Sequence, residues 1–556
     1  MIKSLILAIK SLSFREKLIF IAALVLFVVS FITLLIQVIN RETIQSPDGG
    51  GSFVEGVVGQ PAFINPVLVK PGTVDEDLVV LIFANVLDLS ESIKHSKDFK
   101  NWTVRLKENA RWQDETPLTS DDLIFTVQTI QNPDTLSPLF SDWQYIKISR
   151  ISEREISFDL PSSYSLFENL LEKLRPIPKK IFADIAPANI KLSSYNLEPF
   201  ANGPFTYDQM EKKKDGFITA YYLKANTVYR SIGSLPYLKK FTVRFFENEE
   251  GLVGAYNLGT IDGFLATDHS LLSQTSINSS VEKIPTTKYY ALFLNPDANL
   301  FLGSLKIRRA LQLAVNVPLI ISQEFEGYAF QEAGPIPPIL SSYSSEVEEN
   351  TRYDPEQAKS LIAADGWTRN PETNLWEKSE KNKKYELIVA IKIPDTPLLT
   401  KVAQQIQKDW EEIGVKTEIT RYDAPAISDE VIKTRDYQVL LFGNIVSREP
   451  DLFSFWHSSE KFYPGLNLAL YDNSSVDDLI IASRKIAVDD SRREGVLAQI
   501  QREVVEDAPA IFLASPQYFY IHKTSRPGVI INLISLPSDR FQKITQWYVK
   551  TKRVLK

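Results

Sequence analysis

Hydrophobic and polar positions follow three different rhythms along the chain. The first is unbroken: Leu18 to Ile39 is 22 residues without a charge. As a helix it would be roughly 33 Å long, enough to cross a hydrocarbon core of about 30 Å. The second is helical. Leu399, Val402, Ile406, Trp410 and Ile413 mark one face and predict a helix ending at Gly414. The third is the alternation of a half-buried strand. Leu387, Val389 and Ile391 show it before that helix, and Val415, Thr417 and Ile419 resume it afterwards. Strand, helix and strand in that order predict a crossover and a locally parallel sheet. A further apolar strand is expected over 437–442, and amphipathic helices over much of 476–507. The fold class is therefore α/β with mixed sheets.

End signals sharpen several elements. Thr119-Ser120-Asp121-Asp122 predicts a capping box opening a helix that runs toward Asn132-Pro133. Asp354-Pro355-Glu356-Gln357 supplies an N-cap and a proline at the first helical position, and Gly366 ends that helix.

Charge orients the apolar run. Lys3, Lys10, Arg15 and Lys17 precede it, opposed only by Glu16. Basic flanks stay in the cytoplasm, which places 1–17 inside, 18–39 in the membrane and the remainder outside. The run is longer than a signal-peptide core, and Ile39-Asn40-Arg41 lacks a small-residue cleavage site, so a retained anchor is expected. Residues 40–52 are polar and glycine-rich and predict a flexible linker.

Composition removes whole classes of chemistry. There are no cysteines, which excludes disulfides, thiolate metal sites and lipidated-cysteine anchors. A net charge of -7 over 556 residues carries no basic footprint for nucleic acid. His95, His269, His457 and His522 are far apart and lack partners at metal-ligand spacing, so no metal and no cofactor is expected. Nucleophile-elbow, phosphate-loop, zincin and dinucleotide motifs are missing, which argues against an enzyme. Aromatic residues make up 11%, enough to line a cleft as well as a core.

Five ordered motifs carry a resemblance. Arg111-Trp112-Gln113-Asp114-Glu115-Thr116-Pro117-Leu118-Thr119-Ser120-Asp121-Asp122 resembles W-x-D-G-x-P-(L/V)-T-A-x-D-V, with Glu115 where glycine is usual. Ala201-Asn202-Gly203-Pro204-Phe205 is similar to G-x-G-P-Y. Ile307-Arg308-Arg309-Ala310-Leu311 with Ala314-Val315-Asn316, then Tyr353-Asp354-Pro355 through Gly366-Trp367, and finally Gly443-Asn444 with Glu449-Pro450-Asp451-Leu452-Phe453 complete the series. Together they resemble the family 5 extracellular solute-binding proteins, the dipeptide, oligopeptide and nickel group that serves ABC importers.

The resemblance implies a two-lobed periplasmic-binding-protein-like fold of type II with an inserted domain, and no catalysis. It places the first lobe at 53–85, 200–272 and 510–550, the insertion at 86–199 and the second lobe at 273–509. The ligand would be a short peptide, added as a strand to main-chain groups of Leu441 and Gly443. Phe442 and Trp456 would be aromatic walls and Asn467 a polar contact, with Phe63 and Asn65 approaching from the first lobe. Asn444 stands where relatives place an acid for the ligand's ammonium, and Glu449 or Asp451 would supply that anion instead. Expected partners are ABC permease subunits in the membrane, the chain acting as a monomer. A non-peptide solute such as an oligosaccharide or metal chelate, or a tethered sensor without a transporter, are the other readings.

Overall fold

The computed structural model describes residues 13–275, 278–380 and 383–555. Lys3 and Lys10, and with them most of the expected cytoplasmic segment 1–17, lie outside the described residues. Phe14–Glu42 is one helix of 29 residues, opened by a capping box between Ser13 and Glu16, with no residue buried. It is the one described helix long and apolar enough to cross a membrane.

The segment after it corrects the expectation of a flexible linker over 40–52. Thr43–Asp48 is a strand paired antiparallel with the C-terminal strand Lys550–Leu555, from Thr43 opposite Leu555 to Asp48 opposite Lys550. Lys552 Nζ and Asp48 Oδ1 stand 3.3 Å apart across this ribbon. A polar stretch reads as a tether only until a partner about 500 residues downstream satisfies its backbone.

The body is built on one long mixed sheet. Its order is Lys416–Tyr422, Ile388–Pro394, Val439–Ile445, Lys288–Leu294, Ala510–Lys523, Gly263–Ala266, Ser52–Val58, Lys240–Phe246, Ile218–Ala225 and Phe205–Lys212. Ala510–Lys523 belongs to both lobes and is called the hinge strand here. Ala510 to Ala514 pair with Lys288–Leu294, and Phe519 to His522 pair with Gly263–Ala266. Ser279–Pro285 pairs with its first-lobe half, from Lys523 to Gln517. The sheet thus puts 279–285 with the first lobe and 510–516 with the second, whereas the sequence boundaries fell at 272 and 510.

The crossover at 388–422 has the expected form: Ile388–Pro394 and Lys416–Tyr422 are parallel, joined by helix Pro397–Glu412. Leu387, Val389, Ile391, Val402, Ile406, Trp410 and Ile413 bury together in one core. Gly414 takes φ +88°, and a Cβ there would sit 2.7 Å from the Asn374 carbonyl oxygen, so the turn requires glycine.

Within 86–199 a four-stranded antiparallel sheet, ordered Ser90–His95, Asn101–Leu106, Glu155–Asp159 and Lys147–Ser152, packs around Trp102, Trp143, Phe158 and Phe167. Helix Ser120–Gln131 opens with the Thr119–Asp122 capping box. Glu115, in the turn before it, holds φ +68°. That left-handed conformation costs a side-chain-bearing residue about 1–2 kcal/mol, which glycine avoids. Glu115→Gly is expected to stabilise the inserted domain by about 1 kcal/mol, less the entropy that glycine adds to the unfolded chain. A melting midpoint at or below that of the parent would count against strain at this turn.

A buried charge network ties the first lobe together. Arg540 grips Asp77 with two bonds of 2.8 and 2.7 Å and reaches Glu55 Oε1 at 3.0 Å, while the Tyr520 hydroxyl donates to Glu55. All four residues are buried. The C-terminal segment thereby clasps a central strand and the helix Val74–Ile82.

Candidate functional site

Two strands pass between the lobes side by side. One runs from Ser279–Pro285 through Thr286-Thr287 into Lys288–Leu294, and the other is the hinge strand. Small hydroxyls sit where they cross. Ser515 Oγ donates to the carbonyls of Thr286 and Lys288, and the Thr286 hydroxyl donates 2.7 Å to the Pro516 carbonyl. Thr287 Oγ1 meets the Val446 carbonyl and the Ser535 hydroxyl. Short side chains bonded to backbone give a connection that can flex without exposing unpaired groups.

Beside this crossing, Val439–Ile445 pairs along its whole length with Lys288–Leu294. Asn295 N–H donates to Gln438 O, and Val446 N–H to Thr287 O. Antiparallel alternation then turns the main-chain groups of the even-numbered residues toward that partner. Those of Val439, Leu441, Gly443 and Ile445 turn toward the opposite edge. There the parallel strand Ile388–Pro394, in register at Val439 and Leu440, takes up the main-chain groups of Val439 and the N–H of Leu441. Among the described residues no strand covers the rest. The uncovered stretch is the part nearest the first lobe.

Side chains alternate as well. On one face Tyr290 lies opposite Gly443 and Lys288 opposite Ile445. A Cβ on Gly443 would come within 3.0 Å of Lys288 Cε and 3.2 Å of the Tyr290 ring, so a side chain here would press on both. On the other face Asn444 Nδ2 donates 3.1 Å to the Tyr289 hydroxyl. Burial raises the pKa of that phenol, against the pull of the Asn444 bond.

The inserted domain meets the second lobe at the loop 446–452 that follows this strand. Arg484 is held between two rings, 4.4 Å from the centroid of Tyr164 and 4.5 Å from that of Phe453. It stands 3.4 Å from Asp451. Ser165 N–H donates 2.8 Å to the Arg484 carbonyl, and Asn169 Nδ2 donates 3.3 Å to the Glu449 carbonyl. Burial, and then the Asp451 carboxylate, raise the Tyr164 hydroxyl far above its usual value. It stays protonated and available to that carboxylate.

The residues singled out in the sequence therefore separate into groups. Leu441, Phe442, Gly443 and Asn444 share the partly uncovered strand. Glu449 and Asp451 are drawn to arginines, Arg493 at 3.7 Å and Arg484 at 3.4 Å. Trp456 is buried among Phe293, Phe512 and Tyr471, and Phe442 packs against the same cluster. Asn467 spends its side chain inside its own loop, on the His457 and Tyr471 carbonyls and the Tyr471 N–H. Asn65 is bonded to Asn196 and to the Val67 N–H. Phe63 keeps an exposed ring, its N–H held by Asp75. Sequence reasoning missed Lys288, Tyr290, Tyr164 and Arg484. None lies in a motif, and only strand register and domain packing bring them to the strand and its loop.

Residues 85–463 match the bacterial extracellular solute-binding proteins, family 5 Middle. The oligopeptide-binding protein AppA of Bacillus subtilis (strain 168) is 25% identical over 494 residues, covering 86% of this chain and 88% of that protein. The dipeptide-binding protein of Escherichia coli (strain K12) is 23% identical over 524 residues, covering 85% and 91%. Among solved structures, B. subtilis AppA in complex with a nonapeptide superposes with a TM-score of 0.72 at 22% identity, covering 91% of this chain and 100% of that one. The mixed α/β architecture is that of the type II periplasmic binding proteins. With its fold and most of its length accounted for in this way, the chain belongs to the family 5 bacterial extracellular solute-binding proteins.

Proposed function

We propose that this chain is the substrate-binding subunit of an ABC importer, capturing short peptides between its lobes and handing them unaltered to a membrane permease. One observation carries the ligand class. From the Leu441 carbonyl to Ile445 the edge offers main-chain donors and acceptors beside the interlobe crossing, uncovered by any strand among the described residues. An extended peptide satisfies such an edge with its own backbone, whatever its side chains. The similarity to proteins named for oligopeptide and dipeptide binding supports the same class. The exposed apolar helix Phe14–Glu42 serves as a single-pass anchor with the folded body outside the cell, and the working unit is a monomer.

The test is to purify the full chain in detergent, denature it and identify by mass spectrometry whatever small molecule it carried. A mixture of short peptides is the expected result. Recovery of one sugar or one metal chelate would overturn the peptide reading while leaving solute binding intact.

A further inference from the structure

Next to the uncovered stretch of Val439–Ile445 stands an ammonium group without an ion-pair partner among the described residues. Lys288 Nζ lies 4.6 Å from the centroid of the Tyr290 ring. Burial raises the pKa of the Tyr518 phenol on the hinge strand, and the nearby Lys288 ammonium opposes that rise. Asp268 also acts on Tyr290, but its carboxylate accepts the Ser270 N–H at 2.7 Å and lies 3.9 Å from His269 Nδ1.

The acids of the loop after the strand, which would receive a guest's ammonium, are already engaged. Asp451 pairs with Arg484 and Glu449 with Arg493. Asn444 is an amide turned to the opposite face of the sheet. The other cation here, Arg448, is spent on the Leu533 carbonyl and the Gln542 side chain at 2.8 and 2.6 Å. On the Gly443 face this end of the strand therefore presents the Lys288 ammonium to whatever pairs with it. A carboxylate meeting Lys288 would form a charge-assisted bond about twice as strong as a neutral one.

We propose that the guest's free α-carboxylate, and not its α-ammonium, docks at this edge, held by Lys288 Nζ. The assignment rests on the peptide reading above and adds the direction in which the guest lies: its C-terminus is at Gly443.

Calorimetry on the full chain in detergent with tri-alanine, its C-terminal amide and its N-acetyl form decides the matter. Amidation is expected to weaken binding roughly tenfold or more, the worth of one charge-assisted bond, and acetylation less than about threefold. Lys288→Gln is expected to bring the free acid down to the level of the amide, while Lys288→Arg keeps the preference. A larger penalty for acetylation, or an acid-to-amide ratio unchanged in Lys288→Gln, overturns the proposal. The ratio in the parent protein decides even if the glutamine variant fails to fold. Equal binding of all three ligands sinks the carboxylate assignment alone, whereas no binding of any of them sinks the peptide reading together with it.

Discussion

Arg540→Met is expected to cost the first lobe about 3–5 kcal/mol, the penalty for removing one partner from a buried ion network. Its guanidinium alone compensates Glu55 and Asp77, which are 0% and 5% exposed. A methionine fills most of the volume but leaves two carboxylates facing each other away from water. Hydrogen exchange over 52–58 and 517–523 is the measurement, because each lobe can open separately and a single melting point would blur them. Protection in those strands equal to the parent's would refute the clasp.

The same network makes a pH prediction with a definite sign. Burial pushes the Glu55 carboxyl up to about 7 from an ordinary value of 4.5, against the pull of Arg540. Between those two values the folded state holds a proton that the unfolded chain has lost. Stability is then full below about pH 4.5 and declines as pH rises toward 7, by up to about 1.4 kcal/mol per pH unit from this group. Glu55→Gln is expected to flatten that stretch of the profile. A slope unchanged in the variant would place the titration elsewhere.

Arg484→Ala is expected to loosen the contact between the inserted domain and the second lobe and to weaken ligand binding about fivefold. Phe453 and Asp451 belong to the second lobe with Arg484, so only its stacking on Tyr164 crosses to the inserted domain, a contact worth about 1 kcal/mol. That energy exists only when the inserted domain and second lobe are together, and a ligand that needs both loses affinity in proportion to the closed population. Small-angle scattering on the ligand-free variant should show a larger radius of gyration, and exchange should accelerate over 164–170. Tyr164→Phe, which keeps the ring and drops the hydroxyl, should have a smaller effect. If Arg484→Ala remains as compact as the parent, this contact does not hold the closed form.

Both networks illustrate what could and could not be read from the chain. The helix at Pro397–Glu412 and its flanking strands were legible because burial imposes a period on residues close in sequence. Glu115 was flagged as an oddity in a glycine position, and its positive φ gives that departure a physical meaning. Asp451 and Glu449 carried no such signal. Their partners lie 33 and 44 residues downstream on helices whose packing no local pattern announces. The ribbon of Thr43–Asp48 with Lys550–Leu555 was misread for the same reason, since short polar strands look like linkers until something pairs with them.

By itself, then, the sequence determined the kinds of element, the long apolar helix near the N-terminus and the family. Each depends on neighbours along the chain or on motifs in a fixed order. Tertiary structure alone decided which edge of Val439–Ile445 lacks a partner, which side of it Lys288 faces, and which carboxylates are already neutralised. Those outcomes follow from strand register and from contacts between residues far apart in sequence. A shift of one position along a strand would reverse every one of them while barely altering the hydrophobic pattern.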